Sequence, residues 1–296
     1  MRFWLSLNFE PWDQLLELAK AAEECGFEGV VLPDHIVVPA EDTTLHPSGY
    51  PLRPDEPFLE PLIAFAAMAS VTTRLRFLSD VIVVPLRDPF LLAKQLATLA
   101  VLSGNRVVLG TGTGWLKEEF EVVGQGWHDR GRRMDEGLDI MVDFWKDGWA
   151  ELSGRHFDLP RSGMFPAPSQ PVPIWIGGHS SAAARRAARF DGYMPMRPLD
   201  DVCRAEFAEI DRIRLDLDLT GPFERIAFMP DDSGVGADEL AERDGIGSMV
   251  VRPWEQYSPM GYARKSAIAG RRVPFTPVPL AEKLAAAHRF AERTLR

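Results

Sequence analysis

The segment RLRFLSDVIVVPLRDPFLLAKQLATLAVLSGNRVVLGTG, residues 74–112, decides the fold class of this chain. It begins as a short apolar run, continues as a helical stretch from Pro89 to Gly104, and returns to a second apolar run. A strand, a helix and a second strand in this order are typical of two parallel strands in one sheet. The segment therefore predicts a β–α–β unit.

The same alternation continues along the chain. Helical stretches such as DQLLELAKAAEECGF and LAEKLAAAHRFAERTL separate short apolar runs such as GVVL, PIWIGG and GSMVV. About eight strand–helix units fit this length without a break in composition, which predicts an α/β fold, a (β/α)8 TIM barrel, as a single domain over residues 1–296. A doubly wound sheet is the alternative, but the sequence lacks the GxGxxG that such a sheet would carry early in the chain.

The composition narrows the function classes. Hydrophobic residues make up 46% of the chain and the net charge is -10, which favours a large core and disfavours general nucleic-acid binding. The two cysteines, Cys25 and Cys203, have no CxxC spacing, and the N-terminal residues contain no long apolar run. We therefore expect a cytoplasmic protein without a membrane partner. None of the six histidines has metal-ligand spacing, so we expect no metal site.

Polar and glycine residues follow the predicted strands, at the end where barrels carry their chemistry. A proline-rich segment at about residues 38–57 follows the second strand and predicts an inserted rim loop. The candidate positions at the strand ends are Asn8 and Glu10, Asp34 and His35, Ser79 to Val81, Gly110 to Trp115, Gly177 to Ser180, Met196 and Arg197, and Arg252.

These positions leave alternatives open. His35 suits acid–base work near neutral pH, or a structural hydrogen bond that supports the loop. The run Gly110–Gly114 reads GTGTG and favours a tight turn over a ligand site. The Gly-Gly-His-Ser run from Gly177 is either a plain helix cap or an anion site for a phosphate. Glu118 and Glu119 open a helix, where acidic residues are expected, and carry no site prediction.

Several segments together resemble the bacterial luciferase-like monooxygenase superfamily, and most of all its branch of coenzyme F420-dependent oxidoreductases. They are PDH at residues 33–35, the stretch from Val81 to Trp115, GRRMDE at 131–136, and PVPIWIGGHS with ARFDGYMP between residues 171 and 195. The resemblance is stronger over residues 1–200 than over residues 200–296. It implies a luciferase-like (β/α)8 barrel with a flavin or deazaflavin at its C-terminal mouth.

The resemblance also implies roles for single residues. His35 would lie beside the reactive ring as a catalytic residue, and Asp34 would fix its tautomer or cap the loop. A non-proline cis peptide bond is implied at Asp80–Val81, although family members commonly carry a small residue where this chain has Asp80. The implied cofactor-binding residues are Ser79, Asp80, Val81, Thr111, Gly112, Thr113 and Trp115 around the ring, and Gly177, Gly178, His179 and Ser180 around the phosphate.

The leading functional hypothesis is an oxidoreductase that passes a hydride between coenzyme F420 and a small organic substrate. The alternatives are an FMN-dependent monooxygenase served by a partner flavin reductase, and a non-catalytic barrel that binds a flavin or a partner. The resemblance adds a homodimer as an expectation. The substrate itself is set by loops that carry no motif.

Overall fold

The structure is a computed structural model that describes residues 1–39, 52, 54–195, 199–228, 237–254 and 278–295. Most of the predicted rim loop, residues 40–51 and 53, lies outside the described residues, as do Met196 and Arg197.

Eight parallel strands form a closed barrel. The chain contains the strands β1 (Arg2–Ser6), β2 (Gly29–Leu32), β3 (Arg76–Ser79), β4 (Ile82–Val83), β5 (Val107–Gly112), β6 (Trp149–Ser153), β7 (Asp158–Gly163), β8 (Ile174–Gly178), β9 (Gly192–Pro195), β10 (Glu224–Phe228) and β11 (Ser248–Val251). The parallel pairs run β1–β2–β3–β5–β8–β9–β10–β11, and β11 pairs with β1 to close the ring. The predicted (β/α)8 barrel is confirmed.

Helices cover the outside of the barrel. They are α1 (Leu15–Cys25), α2 (Pro61–Ala69), α3 (Pro89–Ser103), α4 (Lys117–Val122), α5 (Arg130–Asp147), α6 (Ser181–Ala187), α7 (Asp201–Asp216), α8 (Ala237–Asp244) and α9 (Leu280–Thr294). Helix α3 shows how the sequence sets such a helix. Asp88 accepts a hydrogen bond from the Leu91 N–H, Pro89 occupies the first turn, and Gly104 ends the helix in the left-handed conformation. None of the helices in the described residues is long and apolar enough to cross a membrane.

The segment from residue 74 to 85 differs from the single strand that the sequence predicts. It divides into β3, which pairs with the first half of β5, and β4, which pairs with the second half. The Asp80–Val81 peptide bond between them is cis, as the resemblance implies. The antiparallel hairpin of β6 and β7 was not predicted, because its residues are mostly exposed and lack the apolar run of a barrel strand.

One buried residue from each of the eight strands fills the middle of the barrel: Trp4, Val31, Leu78, Val108, Trp175, Met194, Ile226 and Val250. The rings of Trp4 and Trp175 meet edge to face with centroids 5.4 Å apart. Glycines make room for them, because a Cβ at Gly29 would lie 2.4 Å from the Trp4 ring and one at Gly192 would lie 2.7 Å from the Trp175 ring. The middle of the barrel is therefore a packed core, and barrels of this type carry their chemistry at the C-terminal mouth.

The residues that face the mouth follow from the two-residue period of a strand. Two residues beyond the interior residues Trp4 and Leu78 lie Ser6 on β1 and Asp80 after β3. On β5 and β8 the same count gives glycines, Gly110, Gly112 and Gly177. The sequence thus lines one side of the mouth with polar groups and leaves the other side without side chains.

Candidate active site

The imidazole of His35 contacts the carboxylate of Glu119, a residue to which the sequence assigned no role in the site. The His35 Nδ1 atom lies 2.9 Å from Glu119 Oε2, and the two side chains are 9% and 2% exposed. The other carboxylate oxygen accepts hydrogen bonds from the backbone N–H groups of Ile36, at 2.6 Å, and Val37, at 3.2 Å. Because a carboxylate only accepts, Nδ1 carries the proton, and Nε2 on the far side of the ring is the atom that can take up a proton from a ligand.

Glu119 comes from α4, the short helix after β5, and its burial explains why it was missed. An acidic residue in the first turn of a helix normally interacts with the helix dipole in solvent. Here the side chains of Leu116, Glu119 and Phe120 are all buried and share one helix face at the spacing i, i+3, i+4. That spacing was the available signal, since it places Glu119 on the apolar face of the helix.

Asp34 has a different partner from the one the sequence suggested. Its carboxylate binds the Arg87 guanidinium through two contacts, of 2.6 and 2.7 Å, and accepts a hydrogen bond from the Val83 N–H at 3.1 Å. The carboxylate that contacts His35 Nδ1 is that of Glu119 and not that of Asp34. The prediction that Asp34 fixes the tautomer of His35 is therefore corrected. Asp34 anchors β4 and the turn after it beside the mouth.

Aromatic rings surround His35. The Phe58 and Trp115 rings both meet the imidazole edge to face, with centroids 4.9 and 5.8 Å away, and Phe9 packs against Phe58 at 5.2 Å. These contacts restrict rotation of the imidazole and exclude water from one side of it. The Trp115 ring therefore packs at the rim against His35.

The glycines at the mouth accommodate Val81. A Cβ at Gly177 would lie 2.6 Å from Val81 Cγ1, and one at Gly112 would lie 3.1 Å from Val81 Cγ2. Val81 is only partly buried and packs on the interior layer, as does Phe228. These two side chains form an apolar floor for the mouth.

Ser79 and Thr111 position the backbone of this floor. The Ser79 hydroxyl donates to the Gly110 carbonyl and the Thr111 hydroxyl donates to the Ile82 carbonyl, both at 2.8 Å. Both hydroxyl protons are therefore used within the protein, and Thr111 is fully buried. Thr113 is half-buried just beyond the end of β5.

Asp80 differs from the other acidic residues at the mouth. It is 7% exposed, and its Oδ1 atom has no hydrogen-bond partner among the described residues. Burial raises the pKa of Asp80 to about 7, and a side-chain hydrogen bond from Asn8 opposes that shift. The backbone N–H of Asp80 donates to the Leu32 carbonyl at 2.7 Å, which fixes the residue above β2.

The run after β8 forms a turn that is held from below. Gly178 has φ 146°, and Ser180 caps α6 by accepting from the Ala183 N–H at 3.2 Å. The Tyr193 hydroxyl contacts the Gly178 carbonyl oxygen at 3.0 Å and Glu206 Oε2 at 2.8 Å. His179 and Ser180 are exposed, so their side chains are accessible to a ligand.

A further buried carboxylate, Glu10, lies where β1 and β11 meet. Glu10 accepts hydrogen bonds from Arg252 at 2.5 Å, from Trp254 Nε1 at 3.0 Å and from the Lys283 ammonium. Lys283 also donates to Gln14 at 2.7 Å. The cluster joins the ends of β1 and β11 to α9. Among the described residues, no group of three or more His, Cys, Asp or Glu side chains is placed to hold a metal ion.

A model of the luciferase-like monooxygenase family matches residues 2–214. This chain belongs to the luciferase-like monooxygenase family. It is 36% identical over 307 residues to an uncharacterized protein of Mycobacterium tuberculosis (strain ATCC 25618 / H37Rv), with 100% of this chain and 99% of that protein covered.

Two further similarities lie within the luciferase-like group. An F420-dependent glucose-6-phosphate dehydrogenase of Amycolatopsis mediterranei is 29% identical over 192 residues, which cover 63% of this chain and 54% of that enzyme. The crystal structure of the monooxygenase RslO1 from Streptomyces bottropensis superposes with a TM-score of 0.70 at 19% identity, covering 100% of this chain and 99% of that one. Oxidoreductases and monooxygenases are thus both among the neighbours of this luciferase-like chain.

The mouth of this luciferase-like barrel fits a flat heterocycle with polar edges. Val81 and Phe228 offer an apolar floor. Ser6 Oγ, Asn8 Oδ1 and Asp80 Oδ1 are buried polar atoms without a partner among the described residues, and they lie at the ends of β1 and β3. A ring with carbonyl and N–H groups along one edge would supply the hydrogen bonds that these atoms lack.

Proposed function

We propose that this protein is an oxidoreductase that uses coenzyme F420 to act on a small alcohol or the corresponding carbonyl compound. The observation that carries the proposal is the buried His35–Glu119 pair at the mouth of a luciferase-like barrel. The cofactor would be held over Val81, with its phosphate at the Gly177–Ser180 turn, as the family resemblance implies. When bound, coenzyme F420 supplies a carbon centre that exchanges a hydride with the substrate.

The role of His35 follows from its hydrogen bonds. An alcohol that is oxidised at carbon must also lose its hydroxyl proton, and His35 Nε2 is the acceptor that this proposal assigns to that proton. Glu119 stabilises the resulting imidazolium, since its carboxylate lies 2.9 Å from Nδ1. In the reverse direction, the same Nε2 returns the proton to the carbonyl oxygen.

A monooxygenase that uses FMN, the alternative that the family resemblance implies, is the second candidate, and the fold is similar to that of the monooxygenase RslO1. We would first titrate the apo-protein with coenzyme F420 and with FMN and follow fluorescence. We expect F420 to bind and FMN to bind at least about tenfold more weakly, a difference of about 1.4 kcal/mol. A preference for FMN would replace the proposal with the monooxygenase and its reductase, and binding of neither would favour a non-catalytic barrel.

The proton-transfer role is tested with His35→Ala in an assay of F420 reduction by a panel of small alcohols. We expect turnover to fall about 10²–10⁴-fold, the usual contribution of a general base, with cofactor affinity almost unchanged. His288→Ala is the matched control, because His288 lies on α9 and is exposed. Equal effects of the two substitutions would remove His35 from the mechanism.

The proposed phosphate site at the Gly177–Ser180 turn is tested with a substitution that leaves the backbone of the turn unchanged. Gly178 is a poor choice, since its φ of 146° suits few other residues and a Cβ there would lie 2.8 Å from Ala183. Ser180→Asp retains a capping oxygen for the Ala183 N–H and adds a negative charge, whereas Ser180→Asn retains the cap without the charge. We expect only the aspartate variant to weaken F420 binding, by about tenfold or more. Equal affinities would place the phosphate elsewhere.

A further inference from the structure

Asp80 is a buried acidic residue of the mouth to which the proposed function assigns no role. Its side chain points into the barrel, because it follows the interior residue Leu78 at the two-residue period of a strand and is only 7% exposed. In a (β/α)8 barrel, alternate strands contribute side chains to the same interior layer. Asn8 and Asp80 therefore meet inside the mouth, above the packed layer that contains Trp4 and Leu78.

One carboxyl oxygen of Asp80, Oδ1, is buried and available to a ligand. Asn8 Oδ1 and Asp80 Oδ1 are both buried and without a hydrogen-bond partner among the described residues. Asp80 also directly precedes Val81, which forms the apolar floor together with Phe228. A buried polar atom without a partner is costly to a protein, and a ligand can provide the missing hydrogen bond.

The charged groups around Asp80 do not neutralise it. On the β2 side, Asp34 is bound to Arg87 and His35 is bound to Glu119. On the β1 side, Glu10 is bound to Arg252 and Lys283. The elements packed against residue 80 otherwise bring neutral groups, namely Ser6, Asn8, the Leu32 carbonyl, Gly110 and Thr111. Because no cation is paired with Asp80 among the described residues, burial favours the uncharged acid, in agreement with the pKa of about 7.

We propose that Asp80 binds the cofactor ring as a neutral carboxylic acid, with the proton on Oδ1 donated to a ring atom that carries negative charge. This inference rests on the proposed function and extends it to the charge state of the bound cofactor. A carboxylate at this position would repel an anionic reduced ring, whereas the acid stabilises it through a hydrogen bond. Above neutral pH, Asp80 must therefore take up a proton from solvent as the cofactor binds.

The test is calorimetric titration of the wild-type protein and Asp80→Asn with oxidised and reduced coenzyme F420, in buffers of different ionisation enthalpy. The asparagine keeps the shape of the side chain, carries no proton that titrates, and can place a permanent N–H donor at the position of Oδ1. For the wild type with the reduced cofactor, we expect uptake of close to one proton per site at pH 8.5, falling to about none at pH 5.5. Because Asp80→Asn lacks the titratable carboxyl group, its proton uptake comes from the cofactor alone. That value is subtracted from the proton uptake of the wild type.

Affinity gives a second, independent readout. If only the acid form binds, the wild-type affinity for reduced F420 falls about tenfold per pH unit above the pKa, relative to that of Asp80→Asn. If Asp80→Asn does not fold, the ¹³C shift of the Asp80 carboxyl in the wild type replaces it. The carboxyl is then expected to stay protonated to higher pH in the complex than in the free protein.

The outcomes separate the two proposals. Proton uptake and pH dependence that are the same in the wild type and Asp80→Asn, or a ¹³C titration that the cofactor does not shift, would overturn the role of Asp80 and leave the F420 proposal intact. Proton release by the wild type would also overturn it, since it would mean that the carboxylate is the binding form. Failure of F420 to bind either protein at any pH would overturn the proposed function and the Asp80 inference with it.

Discussion

Two regions of the barrel mouth differ in whether their buried carboxylates are paired with other side chains. On the rim, Asp34, Glu119 and Glu10 are each paired with a cation or an imidazole and with further N–H donors. Inside the mouth, Asp80 has no ion pair with any of the described residues, and its buried Oδ1 atom has no hydrogen-bond partner among them. The paired carboxylates fix the architecture, because their lone pairs are already used. The unpaired one retains a proton and an open oxygen, which are the properties of a group that contacts a ligand.

The largest expected effect comes from breaking a rim pair. Arg87→Met leaves Asp34 buried without its guanidinium, and we expect the free energy of unfolding to fall by about 3–5 kcal/mol. Denaturant unfolding at pH 7 measures this difference. Arg212→Met is the matched control, because Arg212 and Asp216 are 65% and 60% exposed at 2.9 Å, and we expect less than about 1 kcal/mol there. Similar losses in both variants would show that burial does not distinguish the two pairs.

Asp80→Asn sharpens the comparison in the opposite direction. The folded-state pKa of Asp80, about 7, lies above its unfolded value, so the folded protein holds the proton while the unfolded chain loses it as pH rises from about 4 to 7. This ionisation reduces wild-type stability progressively through that window, by up to about 4 kcal/mol above pH 7. We expect Asp80→Asn to be more stable than the wild type at pH 8 and similar to it at pH 4. Parallel stability curves from pH 4 to 8 would contradict the raised pKa.

Glu119→Gln gives the smallest expected change in stability and a specific change in His35. The amide oxygen can still accept from the Ile36 and Val37 N–H groups, which turns the amide N–H toward His35 Nδ1. We expect the proton to move to Nε2, visible in the ¹⁵N shifts of the imidazole, with a loss of about 1–3 kcal/mol. Glu118→Gln, one residue earlier on the same helix, is expected to leave the tautomer unchanged. An unaltered tautomer in Glu119→Gln would mean that Glu119 does not orient the ring.

Much of the fold could be predicted from the sequence, because it depends on local periodicity. The alternation of apolar runs and capped helices gives the barrel, and the strand ends follow from it. The break between β3 and β4 was anticipated only through the family resemblance, since residues 76–83 read as one continuous strand. The β6–β7 hairpin was missed because its pattern of exposed residues resembles a loop.

The candidate site divides along the same line. The sequence by itself placed His35, Asp80, Val81 and the Gly177–Ser180 turn at the C-terminal mouth, because strand ends are local features. Only the tertiary structure decided which carboxylate meets which partner: Glu119 comes from 84 residues beyond His35, and Arg87 from 53 residues beyond Asp34. The tertiary structure also decided which of these carboxylates are buried. Whether an acidic side chain is ion-paired, solvated or held neutral depends on the dielectric and the charges that distant segments bring to it, and no local pattern encodes them.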